Sequence, residues 1–237
     1  MNTLRTTKKN DIMIAVLLAG GTGTRMNSAK PKQFLPLKDG RSVIEHSVDA
    51  FEANDEVEEI CIVMHADWIE EMRALCQRNG WRKVGPIVAG GAERYLSTLA
   101  AVECYLERDD DSFTMLLHDA ARPYVSQRII NDVAAACRTH DAVAVGIPST
   151  DTIWQVNPFA QTIQRIPERP LMWRAQTPQA FRFSLLRDAY QRALQDPQFH
   201  ATDDCGVVAH YAPEVKIHIV RGDEENIKIT FPGDVDR

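Results

Sequence analysis

The stretch "LLAGGTGTRMNSAKPKQF", residues 17–34, carries three glycines within four positions (Gly20, Gly21 and Gly23) and then two cations, Arg25 and Lys32. Glycine lets the backbone turn tightly and lets amide groups approach an anion with no Cβ in the way. Arginine offers phosphate a planar fork, and lysine offers a point charge. Glycines followed closely by cations suit the binding of a polyphosphate. A plain strand-to-helix turn with solvent-facing cations would use the same residues. The GxxxxGK[ST] spacing of a Walker loop is absent, and the GxGxxG dinucleotide fingerprint is not met.

Two more stretches have the same flavour. "HDAARP" sets Asp119 where a strand should end, with Arg122 close by. A carboxylate there is a natural ligand for a hard cation such as Mg²⁺, which takes one or two carboxylates plus phosphate oxygens. A surface Asp–Arg ion pair, worth little, is the plainer reading. "GGAERYLST" brings Gly90, Gly91, Arg94 and Ser97. Its glycines would let a planar group lie against the backbone, and Ser97 could hydrogen-bond a base or ribose. The same residues would equally make a turn and the start of a helix. In "NIK", Lys228 is flanked by Ile227 and Ile229, so its side chain points away from theirs, either into a site or into solvent. "TDD" (Thr202–Asp204) is short. His118 at a strand end reads as structural before it reads as a base, and the other histidines share no spacing.

The elements that would position these groups alternate. Apolar runs predict strands over residues 12–19, 58–65, 84–91, 112–123 and 141–148. Helical periodicity predicts helices over 42–54 (capped by Ser42), 67–80 (Asp67 as N-cap, Gly80 past its end), 94–106, 126–140 and 183–196. Such alternation makes an α/β fold, a mostly parallel sheet with helices on both faces. Ligands bind such sheets beyond the carboxyl ends of the strands. The loops Gly20–Arg25, Gly90–Arg94 and His118–Arg122 all follow strands, so they converge on one rim. The alternation breaks after Pro148. Residues 149–173 contain short β-like pieces and read as an inserted arm, in which Trp154 and Trp173 pack an interface. Residues 214–222 alternate as a strand, and "NIKITFP" follows it. The whole chain, residues 1–237, reads as one domain.

The composition is that of a soluble globular protein: 237 residues, 44% hydrophobic and 25% charged. A formal charge of −6 argues against a nucleic-acid surface. No apolar run approaches the roughly 20 residues needed to span a bilayer. The basic N-terminus lacks a signal-peptide core, so it reads as a leader before the first strand and the protein as cytoplasmic. Five cysteines without CxxC spacing read as reduced thiols, mostly buried.

Taken in order, "LLAGGTGTRMNSAKPKQF", "GGAERYLST", "LHDAARP", "DTIWQV", "RPLMWRAQTPQAF", "TDD" and "GDEENIKIT" resemble the motifs of the 2-C-methyl-D-erythritol 4-phosphate cytidylyltransferases. The resemblance runs from about Ile14 to Pro232. It implies a Rossmann-like nucleotide-binding fold, a homodimer joined by the arms, and Mg²⁺-dependent transfer of CMP from CTP to a polyol phosphate in the non-mevalonate route to isoprenoids. It also implies roles. Ala19, Gly20, Gly21, Thr22 and Gly23 would form the triphosphate loop, with Arg25, Lys32 and Lys228 as the cations acting on the phosphates. Gly90, Gly91, Arg94 and Ser97 would take the cytosine and ribose. Asp119 would hold the metal, with Arg122 as its neighbour on the substrate side. Thr152, Arg169 and Thr177 would bind the polyol phosphate, Thr152 and Arg169 from across the dimer. "TDDCG" departs from the usual "TDEAS" or "TDDAS", and its Cys205 is similar to the related ribitol 5-phosphate cytidylyltransferases. A nucleotide-binding regulatory protein without turnover would lack some of Arg25, Lys32, Asp119 and Lys228, and all four are present. A dinucleotide oxidoreductase would want the missing GxGxxG.

Overall fold

In the computed structural model, residues 12–21 and 30–236 are described. The leader (1–11) and Thr22, Gly23 and Arg25 of the glycine-rich loop lie outside them. The first strand, β1 (Met13–Ala19), is buried along its whole length. Its side chains alternate between two cores. Met13, Ala15, Leu17 and Ala19 join one cluster, and Ile14, Val16 and Leu18 join the other. A strand apolar at every position is what a sheet covered on both faces demands.

Three helices cover the first face: α1 (Val43–Glu52), α2 (Ile69–Asn79) and α4 (Gln127–Cys137). Three others cover the second: α3 (Arg94–Cys104), α5 (Phe183–Ala193) and α6 (Asp204–Tyr211). Local signals set several ends. Ser42 and Glu45 form a capping box on α1, the Ser126 hydroxyl caps α4, and Gly80 ends α2 in the left-handed region at φ 68°. Asp67 does not cap α2. A 3₁₀ turn, Ala66–Trp68, precedes that helix, and the His65 ring accepts from the Asp67 amide.

Among the described residues the main sheet has the order β3-β2-β1-β4-β8-β5-β9. The strands not yet given are β2 (Glu59–Met64), β3 (Val84–Ala89), β4 (Thr114–Asp119), β5 (Ala142–Pro148), β8 (Trp173–Arg182) and β9 (His218–Arg221). β1 to β4 are parallel, and β9 runs parallel to β5. β8 runs antiparallel between β4 and β5. The sequence conceals this central strand, since its buried positions include Gln176, Thr177 and Gln179 as well as Pro178. Proline is normally confined to edges because it cannot donate to a ladder. Here Thr177 and Pro178 fall where the β5 register slips, between Ala144 opposite Gln179 and Val145 opposite Gln176. α6 was equally concealed, and "NIKITFP" is not a strand: after β9 the chain crosses residues 222–231 without one.

The arm contains a hairpin of β6 (Gln155–Asn157) and β7 (Thr162–Arg165) outside the main sheet. Its apolar residues are exposed, Trp154 at 58% and Phe159 at 97%.

Gln176 ties the C-terminal segment to β8. Its Nε2 donates to the Asp223 carbonyl at 2.7 Å, and its Oε1 accepts from the Asp223 amide at 3.2 Å and from Asn226 Nδ2 at 3.3 Å. Replacing it strands several buried polar groups, each costing about 1–3 kcal/mol. Gln176→Leu should therefore lower unfolding free energy by roughly 2–3 kcal/mol in urea titrations and make residues 222–230 more open to proteolysis. Wild-type protease resistance there would show that other contacts hold the segment.

Candidate active site

The chain leaves β1 toward β2 and β3 on one side, then crosses back to add β4 on the other. β1 and β4 therefore flank a topological switch point, where open α/β sheets leave a crevice. Leu18 of β1 pairs with Asp119 at the end of β4. The cleft found there is lined by Ala19, Gly20, Gly21, Lys32, Gln33, Gly91, Arg94, Ser97, Asp119 and Lys228, among others. The start of the first glycine-rich loop, at Gly20 and Gly21, thus meets the other two loops and the C-terminal segment at one place.

The glycines are required by close packing. A Cβ on Gly20 would lie 2.8 Å from Ser97 Oγ. One on Gly90 would lie 2.6 Å from the same oxygen and 3.0 Å from a methyl carbon of Val63. Ser97 is buried in the first turns of α3, so its hydroxyl is the point against which both glycine turns pack. Gln33 secures the loop from the other side, donating to the Ala19 carbonyl and, at 3.3 Å, to that of Gly21.

Asp119 is the electrostatic centre. Its Oδ2 accepts from Lys228 Nζ at 2.7 Å, its Oδ1 from Arg94 Nε at 3.3 Å, and Arg122 Nε lies 3.8 Å from Oδ2. Burial disfavours the charged carboxylate, but Lys228 and Arg94 outweigh it and hold the group well below the usual carboxylate range. Lys228 points away from its flanking isoleucines: Ile229 and Ile227 enter an apolar cluster while the lysine reaches Asp119. Lys32 Nζ donates to the Ile229 carbonyl at 2.8 Å, and the Ile229 amide donates to Ala121, so both lysines are registered to the end of β4. The cleft wall carries three cations, Lys32, Arg94 and Lys228, against the carboxylates of Asp119 and Glu93, an excess of positive charge suited to an anion.

Behind Asp119 lies a chain of neutral hydrogen bonds. The Asp119 amide donates to Thr177 Oγ1 at 3.1 Å. Thr177 Oγ1 is 3.0 Å from His118 Nδ1, and His118 Nε2 is 3.1 Å from the Arg122 carbonyl. A carbonyl only accepts, so Nε2 carries the proton and Nδ1 accepts from the threonine hydroxyl. Burial keeps the His118 pKa down at about 4. His118 is fully buried against Phe51, with no path to act as a base. Thr177, expected in the polyol site, spends its hydroxyl on Asp119 and His118 and is 4% exposed. Arg122 donates to the carbonyls of Asn226 (2.7 Å) and Ala175 (3.4 Å). Gly90 packs against Ser97 and Val63. Thr152 and Arg169 are exposed on the arm, outside this cleft.

Within "TDD", Asp204 carries no signal of its own in the sequence. It is fully buried and receives Arg94 Nη1 at 2.5 Å. Gln33 stood within the quoted glycine-loop stretch, but its side chain carried no readable signal there.

A glycine-lined crevice at the switch point of a doubly wound sheet, ringed by cations, defines a nucleotide-binding α/β protein of the nucleotidyltransferase kind. The family model described as IspD, 2-C-methyl-D-erythritol 4-phosphate cytidylyltransferase, matches residues 13–237, and the chain belongs to that family. A 2-C-methyl-D-erythritol 4-phosphate cytidylyltransferase of Thermobifida fusca is 46% identical over 93% of this chain and 89% of its own length. A bifunctional ribulose 5-phosphate reductase/CDP-ribitol pyrophosphorylase of Haemophilus influenzae is 37% identical over 94% of this chain and 46% of its own length. The solved 4-diphosphocytidyl-2C-methyl-D-erythritol synthase of Anaerococcus prevotii superposes with a TM-score of 0.82 at 26% identity, covering 95% of this chain and 93% of that one.

Two outcomes follow from this geometry. Gly90→Ala should destabilise the fold by about 1–3 kcal/mol through overpacking, and Ser97→Ala should restore part of that loss in the double variant. Simple additivity in thermal melts would separate the two residues. His118 has the opposite sign from a salt-bridged histidine. Its folded pKa, about 4, lies below the unfolded 6.5, so its stabilisation is complete above pH 6.5 and lost as pH falls toward 4. Urea unfolding at pH 7 and pH 5 should differ by roughly 2 kcal/mol more in wild type than in His118→Gln; equal differences would mean that His118 protonates freely in the folded state.

Proposed function

We propose that this chain transfers the cytidylyl group of CTP to 2-C-methyl-D-erythritol 4-phosphate and releases pyrophosphate, in the non-mevalonate route to isoprenoid precursors. The observation that carries this reading is the cluster of Arg94, Arg122 and Lys228 around Asp119, with Lys32 lining the same glycine-edged cleft.

A phosphate oxygen of the acceptor attacks the α-phosphorus of CTP. A new P–O bond forms there, the α–β bridge breaks, and pyrophosphate departs with the bridging oxygen. The acceptor phosphate is itself the nucleophile, so no serine, cysteine or histidine nucleophile is needed. The barrier is the approach of one anion to another, and catalysis consists of positioning and electrostatic stabilisation. In this reading Lys32 and Arg25, with the Ala19–Gly23 loop and Thr22, hold the triphosphate. Lys228 acts on the α-phosphate. Gly90, Gly91, Arg94 and Ser97 form the base and ribose side. Arg122 borders the acceptor, and Thr177 holds the backbone of Asp119 in place.

The donor set fits Mg²⁺ in a limited way. Among the described residues no three His, Cys, Asp or Glu side chains gather to hold a metal by themselves. Asp119, kept ionised beside the phosphate cradle, suits an ion that takes one carboxylate and draws its remaining oxygens from phosphates and water. Bound there, Mg²⁺ would neutralise phosphate charge.

The exposed apolar face of the arm, with Ile153, Trp154, Val156, Phe159 and Ile163, supports a homodimer, in which Thr152 and Arg169 serve the partner's acceptor site. No helix among the described residues is long and apolar enough to cross a membrane. A cytoplasmic location agrees with CTP as substrate. Ribitol 5-phosphate is the second acceptor to consider, on the strength of the Haemophilus influenzae relative and Cys205.

The test is pyrophosphate release from CTP with each polyol phosphate. Methylerythritol phosphate should give the higher kcat/KM, and Lys228→Ala should lower kcat by about 10²–10³. Preference for ribitol phosphate would move the acceptor, and turnover with neither would sink the acceptor site.

A further inference from the structure

Arg94 does not reach the cleft unaided. Its Nε is 3.3 Å from Asp119 and its Nη1 is 2.5 Å from Asp204 Oδ2. The other Asp204 oxygen accepts from Thr98 Oγ1 at 2.9 Å and from the Tyr190 hydroxyl at 2.6 Å. Asp204 and Thr98 are fully buried and Tyr190 is 1% exposed. The three residues come from α6, α3 and α5. Arg94 Nη2 is buried with no hydrogen-bond partner among the described residues. A carboxylate withdrawn from water costs several kcal/mol unless paired, and a neutral amide would tie three helices together without that cost. The carboxylate is paired with the Arg94 guanidinium, which it neutralises and at the same time holds in one plane.

We propose that Asp204 is a positioning residue: with Tyr190 and Thr98 it forms a buried anionic seat that fixes the plane of the Arg94 guanidinium, leaving Nη2 to donate to an acceptor group of the bound nucleotide. The proposal rests on the nucleotide reading of the cleft. It explains why a buried arginine keeps one nitrogen unpartnered while its other two are held by separate carboxylates. Asp204 itself touches no substrate and acts through Arg94.

A simple charge effect has the opposite sign. Removing a carboxylate from the edge of an anion site should tighten CTP binding, whereas loss of the seat should weaken it. CTP binding, measured by calorimetry without acceptor, is compared for wild type, Asp204→Asn, Arg94→Ala and the double variant. Asp204→Asn should weaken CTP binding about tenfold, leave the KM for the polyol phosphate unchanged, and have almost no further effect in the Arg94→Ala background. Tyr190→Phe keeps the ring and the carboxylate, and should reproduce a weaker, about threefold, loss with the same dependence on Arg94. It serves as the test if Asp204→Asn does not fold. Additive effects, or tighter binding in Asp204→Asn, would overturn the proposal while leaving the cytidylyltransferase reading intact. A wild-type protein that binds no CTP would remove that reading, and the proposal with it.

Discussion

Everything around the cleft depends on one desolvated carboxylate. Asp119 sits nearly out of water at the end of β4, where an unpaired anion would be strongly unfavourable. It is tolerated because three cations from separate parts of the chain converge on it: Arg94 at the start of α3, Arg122 just beyond β4, and Lys228 in the C-terminal segment. The same contacts that satisfy Asp119 hold two of these cations, Arg94 and Lys228, at the wall of the crevice. Folding and anion binding therefore draw on one set of charges.

That arrangement explains the polar interior of β8. A central strand normally reads as continuously apolar. Here Thr177 fixes the backbone amide of Asp119, Gln176 fixes residues 223 and 226, and Gln179 reaches Asp203 at the start of α6. Each of these buried polar groups has a partner outside β8, in β4 for Thr177 and in the segments around residues 203 and 223–226 for Gln179 and Gln176, so the strand works as a frame for the rim. The neutral chain through Thr177, His118 and the Arg122 carbonyl extends this frame without adding charge beneath Asp119. Close packing performs the same task on the other side, where the Ser97 hydroxyl leaves no room for a side chain at Gly20 or Gly90.

Much of this was legible in the residues. The apolar runs marked β1, β2 and β5, the amphipathic periods marked α1 to α5, and Ser42 and Gly80 marked helix ends. Asp119, Lys32, Gly91 and Lys228 were picked out as site residues, and the cleft contains them. The misses share a cause. β8 was obscured because its buried positions are polar and include Pro178, features that only a slipped register and loop partners make acceptable. Asp204 looked like one of two acidic residues at the head of a short polar stretch. Asp67 looked like a cap, yet a 3₁₀ turn preceded the helix.

The sequence by itself determined the alternation of elements, the two-faced burial of the sheet, and the loops that would carry glycine and charge. Those properties depend on neighbours within a few residues, through side-chain period and turn chemistry. Only the tertiary structure decided which charges meet. Lys228 lies 109 positions from Asp119, and Arg94 lies 110 from Asp204. No local pattern encodes such pairings, because the burial that makes each charge need its partner exists only once the sheet and helices have closed around it.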